Sequence, residues 1–273
     1  MSERTSAIAA RWLELLRERR PALIPYLPAG FPTATDSLAA LRAVAQSGAD
    51  LLEVGVPFSD PLADGPTIQR ATQAALAQGM TLSGVLALIR EAAVSLPVVL
   101  MTYLNPVLAY GLERLLRDAR DSGVAGLLVT DLPAGAAPEI ERPIAAGPLD
   151  LIRLVAPTTP EPRLAGRLEG GGGFVYLISR LGVTGARPEA PHLERAELAA
   201  QVGRIRRVSA LPVVVGFGVS TPAQAAAVAG IADGVVVGSA LVDALAQGGV
   251  AAAAGLTAAL AGSIRDARRS DAA

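Results

Sequence analysis

The chain has 273 residues, with 24 Arg plus Lys against 25 Asp plus Glu, a formal net charge of -1, one His and no Cys. Every basic residue is Arg, which excludes enzymes that hold a substrate or cofactor through a lysine amine and also the lysine-dependent phosphate loop of NTPases. The lack of Cys and the single His exclude thiolate nucleophiles and a metal site of several histidines, so acid–base chemistry falls mainly to Asp, Glu and Tyr.

The chain opens with an amphipathic pattern. Residues 1–20 are predicted to form a helix that covers the bottom of the domain, with an apolar face made by Ile8, Trp12, Leu15 and Leu16. This segment has no apolar core of the kind that defines a signal peptide. Two later uncharged stretches, 208–232 and 244–264, are interrupted by Pro and Gly or dominated by Ala and Gly, which predicts no membrane span. We therefore expect a cytoplasmic protein.

Eight short apolar runs follow the first helix, each ending in a small or polar turn, at residues 22–27, 50–56, 97–103, 125–131, 149–156, 173–180, 211–218 and 233–238. Such continuous runs are typical of parallel strands that are covered on both faces. Helical patterns lie between them. Eight strand–helix units in roughly 250 residues predict an α/β fold, a single (β/α)₈ TIM barrel spanning residues 1–273. A doubly wound open sheet is the alternative, but its glycine signature is absent after the first strand.

The second predicted strand carries an acid. Alternation places Glu53 on the face opposite the aliphatic residues Leu52, Val54 and Val56, which suit packing under helices. Glu53 is then expected to point into the barrel, near the strand ends where the active sites of such barrels lie. Burial raises the pKa of a carboxyl group, so Glu53 suits a general acid–base. A structural Glu bonded to backbone or water is the alternative.

The loop after this strand contains two further acids, Asp60 and Asp64, in a stretch rich in proline. A stiff loop over the barrel mouth can bring one of them opposite Glu53. Both could equally cap turns or helices, as Asp before Pro or Gly often does. The residues alone leave this choice open.

Glycines follow the seventh and eighth strands at Gly218 and Gly238, and Ser239 then opens a helical segment. Backbone N–H groups at this position of a barrel bind phosphate without needing a lysine. Ordinary tight turns are the alternative. Together these features indicate a metal-independent barrel enzyme that acts on an apolar or aromatic phosphomonoester, with carboxylates as acid and base.

A long stretch at residues 52–69, LEVGVPFSDPLADGPTIQ, closely resembles the signature of the tryptophan synthase alpha subunit family. The resemblance continues in order through PAGFP at 28–32, MTYLNP at 101–106, DLP at 131–133, SRLGVTG at 179–185, GFGVS at 216–220 and GSA at 238–240. It implies a lyase of tryptophan biosynthesis that cleaves indole-3-glycerol phosphate to indole and glyceraldehyde 3-phosphate. It also implies that the alpha chain needs no cofactor and no metal.

The resemblance assigns roles to particular positions. Glu53 is similar to the family's general acid–base, and Asp64 to the carboxylate that bonds the indole N–H. Thr184 resembles a mobile-loop residue that contacts Asp64 when the site closes. Tyr176 resembles a tyrosine that contacts the substrate. The phosphate positions are matched by Gly185, Gly218, Gly238 and Ser239, and the indole pocket by Tyr26, Ile68, Tyr103, Leu128, Val155 and Phe217.

The family's partner is a pyridoxal phosphate beta subunit in an αββα heterotetramer, and the resemblance implies the same partner here. Asp60, Pro61, Asn105 and Pro133 resemble partner-facing positions. One departure weakens that inference, because residues 135 and 136 are Gly and Ala where the family often carries Glu-Glu. The alternatives are a stand-alone indole-releasing lyase, a related barrel isomerase or synthase, and a non-catalytic subunit that only activates a partner.

Overall fold

Strands and helices alternate along the computed structural model, which describes residues 6–178, 195–216 and 218–270. The strands in these ranges are β1 Ala22–Pro28, β2 Leu52–Gly55, β3 Val98–Thr102, β4 Val124–Val129, β5 Asp150–Leu151, β6 Arg153–Val155, β7 Val175–Ile178, β8 Val213–Gly216 and β9 Gly234–Val237. The helices are α1 Ala7–Arg17, α2 Ala34–Gln46, α3 Pro66–Ala77, α4 Leu82–Ala92, α5 Leu104–Tyr110, α6 Leu112–Asp121, α7 Pro138–Ala146, α8 Glu161–Leu168, α9 Arg195–Arg206, α10 Pro222–Ala229 and α11 Ser239–Ser270.

The strands form one parallel sheet in the order β5-β4-β3-β2-β1-β9-β8-β7-β6. Its two ends, β5 and β6, are separated only by Ile152 and belong to one predicted strand. That strand pairs with β4 before Ile152 and with β7 after it, so the sheet nearly closes into a ring. The predicted (β/α)₈ barrel is therefore confirmed, and the fifth of its eight strands is divided where it changes partner.

Side chains alternate between two layers of the barrel. Leu51, Val99 and Val214 pack inside the ring, whereas Leu52 and Val54 pack outward under the helices. Hydroxyl side chains start several of those helices, because an N-cap oxygen accepts a backbone N–H that has no partner in the first turn, as at Ser6, Thr33, Thr81 and Thr221. The alternation thus separates a lumen from a helix layer.

Helix α1 closes the bottom of the barrel. Ile8, Trp12 and Leu15 are buried, and the Trp12 ring meets the edge of Phe174 inside the barrel at 6.2 Å between centroids. The predicted extra N-terminal helix is confirmed at Ala7–Arg17. Leu16 is a correction, because it is 75% exposed. It lies one residue beyond Leu15, about 100° further round the helix, and this rotation carries it off the buried face.

Asp50, two residues before β2, holds this helix in place. Its side chain is 1% exposed and accepts hydrogen bonds from Arg20 at 2.7 and 2.8 Å, from Arg11, and from the backbone N–H of Leu23. One buried carboxylate therefore ties α1 and the turn after it to β1.

Replacing Asp50 by Ala is expected to lower the free energy of unfolding by about 3 kcal/mol, because two arginines lose a buried counter-charge and the Leu23 N–H loses its acceptor. Urea unfolding measures the change. Asp121→Ala is the matched control, since Asp121 pairs with Arg120 on the surface and its removal should have little effect. Equal losses in the two variants would contradict the proposed role of Asp50.

The segment Ser239–Ala267 is long and apolar enough to cross a membrane by length and composition alone. Within it, Gly249 has φ 67° and ψ -164°, so two helices meet at a kink rather than forming one straight rod. Leu241, Leu245 and Leu260 are buried in the layer between the sheet and the helices. This packing is that of outer helices of the barrel.

Candidate active site

Glu53 lies inside the barrel, as alternation predicts. It follows Leu52 in β2, pairs in register with Tyr26 of β1 and is 2% exposed. Neither carboxyl oxygen has a hydrogen-bond partner among the described residues. Burial, and secondly the nearby negative charge of Asp64, raise the pKa of Glu53 to about 8. At neutral pH this side chain is a protonated acid held in the lumen.

Two glycines at strand ends make room for tyrosines beside Glu53. A Cβ on Gly55 would lie 2.7 Å from Cζ of Tyr26, and one on Gly216 would lie 2.5 Å from Cζ of Tyr176. Burial raises the pKa of both tyrosines, and the charges of Glu53 and Asp64 add to the effect, so both hydroxyls stay neutral. Sequence reasoning did not predict this role for the two glycines, although each interrupts a strand of larger side chains.

The loop after β2 brings Asp64 to the site and leaves Asp60 outside it. Asp64 is buried, and its carboxyl group receives a hydrogen bond from the Tyr103 hydroxyl. The same hydroxyl accepts the backbone N–H of Ala63 at 3.0 Å. Asp60 is exposed and accepts from its neighbour Ser59. The tertiary contact to Tyr103 therefore decides which of the two acids faces Glu53.

The two carboxyl groups differ in acidity. Burial raises the pKa of Asp64 to about 6, while the hydrogen bond from Tyr103 opposes the rise. The pKa of Glu53 is about 8. At neutral pH the pair consists of a neutral acid and an ionised carboxylate, a division that lets one group move a proton while the other holds a developing positive charge.

Most of the side chains predicted to surround the indole ring lie inside the barrel. Tyr26, Ile68, Leu128 and Tyr176 belong to one interior cluster. Tyr103 is also buried, where its ring packs against Phe58 at 5.2 Å.

Val155 is a correction to the predicted pocket. It is buried in the outer layer with Leu164 and Leu177, whereas its neighbour Leu154 packs against the interior cluster. Alternation in β6 turns Arg153 and Val155 outward and Leu154 inward. Leu154 is therefore the residue of β6 on the lumen side, which sequence reasoning did not single out. Phe217 lies outside the described residues.

The predicted phosphate positions adjoin one another at the ends of β8 and β9. Gly218 has φ 92°, a conformation that favours glycine. The Gly238 carbonyl accepts the N–H groups of Leu241 and Val242 and so begins α11. The N–H groups of Ser239 and Ala240, which come before them, have no carbonyl within the helix to bond. Ser239 is the first residue of that helix. Thr184 and Gly185 lie outside the described residues.

The predicted partner-facing positions lie on the surface. Asp60, Asn105 and Pro133 are exposed, and Pro61 is half-buried. Two exposed leucines, Leu62 and Leu108, lie on the same two segments, after β2 and in α5. Gly135 has φ 80°, and its N–H donates to the buried Glu141. The loop conformation therefore suits glycine where the family often carries glutamate.

A (β/α)₈ barrel whose lumen holds a neutral and an ionised carboxylate among buried tyrosines belongs to the class of barrel enzymes that work by acid–base chemistry. The family model for the tryptophan synthase alpha chain matches residues 13–267. The chain thus belongs to the tryptophan synthase alpha chain family, and it is a lyase that cleaves indole-3-glycerol phosphate in tryptophan biosynthesis.

Individual relatives agree with this assignment. The tryptophan synthase alpha chain of Phenylobacterium zucineum is 48% identical over 243 residues, which cover 88% of this chain and 86% of the relative. That of Gluconacetobacter diazotrophicus is 50% identical over 240 residues, 87% of this chain and 86% of the relative. A structure of Mycobacterium tuberculosis tryptophan synthase matches with a TM-score of 0.88 at 43% identity, covering 96% of this chain and 99% of that one.

Proposed function

We propose that Glu53 is the general acid–base of the cleavage and that Asp64 stabilises the charge on the indole ring. The observation that carries the proposal is the buried Glu53 carboxyl group, which has a pKa of about 8 and faces an Asp64 carboxylate whose pKa is about 6. Each residue is then in the protonation state that its role requires at neutral pH.

The reaction divides into two proton transfers. Glu53 donates its proton to C3 of the indole and forms an indolenine, because an unprotonated indole is a poor leaving carbanion. Asp64 accepts a hydrogen bond from the ring N–H and offsets the positive charge that develops there. The Glu53 carboxylate then takes the proton of the glyceryl hydroxyl. The carbon–carbon bond breaks, its electrons return to the indole ring, and glyceraldehyde 3-phosphate leaves with Glu53 protonated again.

The rest of the proposed site binds the two ends of the substrate. The indole ring lies among Tyr26, Ile68, Leu128, Tyr176 and Leu154, whose apolar surfaces are buried in or against the interior cluster. The phosphate lies at Gly218, Gly238 and Ser239, where the first turn of α11 presents backbone N–H groups. In the sheet order β1 alone lies between β2, which carries Glu53, and β9, which Gly238 follows, and this neighbourhood supports one substrate reaching both groups.

We further propose that the chain is a single domain, that it works in the cytoplasm and that it assembles with a beta chain as an αββα heterotetramer. The exposed Leu62 and Leu108 support a partner on this face, because both flank positions that resemble the family's partner surface. Gly135 and Ala136 limit the expected contacts of the neighbouring loop to its backbone and to Pro133.

The proposed roles predict a bell-shaped dependence of kcat/KM on pH for indole release. Activity should fall below a pKa of about 6, as Asp64 becomes protonated, and above a pKa of about 8, as Glu53 loses its proton. Because a phosphate monoester also titrates at about 6, Asp64→Asn is measured beside the wild type. The variant should work at a lower rate and lose the part of the acid limb that belongs to Asp64. Its alkaline limb should move to lower pH but stay above the range of an unperturbed Glu, because burial still raises the pKa of Glu53 while the Asp64 charge no longer does. An alkaline limb near the pKa of an unperturbed Glu would contradict the role of Glu53.

A further inference from the structure

A cleft of about 330 Å³ lies between the segment that leaves β4, the segment after β6 and helix α8. Three arginines and three threonines supply its charged and hydroxyl groups, and the described residues that line it include no Asp or Glu. We name this the arginine cleft and define it by Thr130, Arg153, Thr158, Thr159, Arg163 and Arg167. Its volume suits a small molecule.

Arg153 is 6% exposed and is held from one side. Its Nη2 donates to the Glu141 carboxylate at 2.6 Å and to the Glu169 carbonyl at 2.8 Å, and its Nε donates to that carbonyl at 3.1 Å. The remaining terminal nitrogen, Nη1, is buried and has no partner among the described residues. A buried donor on a cation is unfavourable without a partner, and a ligand acceptor that reached Nη1 would remove that penalty.

The positive charge of the cleft is not neutralised from within the described chain. Neither Arg163 nor Arg167 forms an ion pair with any carboxylate in the described ranges. Glu161, which begins the same helix, is instead engaged by Arg204 at 2.6 Å and Arg207 at 3.0 Å. Glu141 is engaged by Arg153. Two further acids are close in the chain: Glu169 lines the adjoining cleft that shares Arg153, and Asp131, between the lining residues Thr130 and Leu132, accepts the backbone N–H of Leu104 at 2.7 Å.

We infer that the arginine cleft is a binding site for a phosphate monoester of low molecular weight. Guanidinium groups and the hydroxyls of Thr158 and Thr159 are donors that match the several acceptor oxygens of a phosphate dianion. The Thr130 hydroxyl donates to the Thr102 carbonyl at 3.3 Å. The cleft adjoins β4, β5 and β6, whereas Gly218 and Gly238 follow β8 and β9 across the ring. It is thus separate from the phosphate position of the reaction, and the inference does not depend on the proposed roles of Glu53 and Asp64.

Titration calorimetry of the full chain with inorganic phosphate, at constant ionic strength, tests the site. The wild type should show two classes of phosphate-binding site, one at the arginine cleft and one at the position proposed for the reaction. The double variant Arg163→Gln, Arg167→Gln should lose at least tenfold in affinity in one class, because the two side chains make no ion pair whose removal would disturb the fold. Arg117→Gln, Arg120→Gln removes the same charge from exposed positions of α6 and should bind phosphate as the wild type does.

Cleavage of indole-3-glycerol phosphate provides the second readout. It should be unchanged in the Arg163, Arg167 double variant. Equal phosphate binding by the wild type and this variant would overturn the inference, and so would an equal loss in the α6 control, which would indicate a general effect of charge. A parallel loss of cleavage would also overturn it, because the missing site would then be that of the reaction.

Discussion

Replacing Glu53 by Gln should lower the rate of indole release from indole-3-glycerol phosphate by about 10³-fold or more, because general acid–base groups contribute about 10²–10⁴ and Glu53 serves both proton transfers. Glutamine has nearly the same shape and is neutral, as Glu53 is in the folded chain at neutral pH, so the packing of the lumen should be preserved. The variant lacks only the exchangeable acid proton. Indole release by the purified chain is the measurement.

Two comparisons make this result specific. Asp60→Asn changes the exposed acid of the neighbouring loop and should leave indole release by the free chain unchanged. The affinity of Glu53→Gln for glycerol 3-phosphate should equal that of the wild type, since Glu53 does not hold the phosphate. If both chains release no indole alone yet support a beta chain equally well, Glu53 has no acid–base role and the chain acts only as an activator.

Replacing Gly238 by Asp should weaken binding of glycerol 3-phosphate by at least about 100-fold. A carboxylate about 4 Å from the bound phosphate makes the binding free energy less favourable by about 4 kcal/mol at an effective dielectric of 20. Every 1.4 kcal/mol corresponds to a tenfold change in affinity. The side chain also meets a steric barrier, because a Cβ at this position would lie 3.1 Å from Cδ1 of Tyr26. Calorimetry with glycerol 3-phosphate measures the loss.

Charge and shape can be separated at this position. Gly238→Ala introduces the close contact with Tyr26 without the charge and should weaken binding much less than Gly238→Asp. Gly255→Asp adds the same charge on α11 at an exposed glycine whose Cβ would meet nothing within 4 Å, and it should bind as the wild type does. Unchanged affinity in Gly238→Asp would refute the phosphate position.

The strands and the inward direction of Glu53 could be predicted locally. Short apolar runs bounded by turn residues indicate strands, and side chains two apart in a strand share a face. The same rule did not identify the pocket wall in β6, since Leu154 and Val155 are both apolar and either could face the lumen. Arg153 could have decided between them. A charged strand residue is expected to face away from the lumen, and alternation then turns Leu154 inward and Val155 outward.

The choice between Asp60 and Asp64 could not be made from the loop sequence. Both acids precede residues that form turns, and the deciding hydrogen bond comes from Tyr103, about forty positions away in the chain. The exposure of Leu16 could not be predicted from the sequence either, because it depends on how much of α1 the bottom of the barrel covers. In each case the deciding neighbour belongs to a different element.

By itself the sequence determined the succession of strands and helices, the absence of lysine chemistry and the face of β2 that carries an acid, because backbone geometry and residue type act over a few positions. Tertiary structure alone decided that Glu53 has a pKa of about 8, that Asp64 joins it and that Arg153 keeps a buried donor unmet. Desolvation and hydrogen bonding depend on which distant residues surround a group, and only the closed ring brings those residues together.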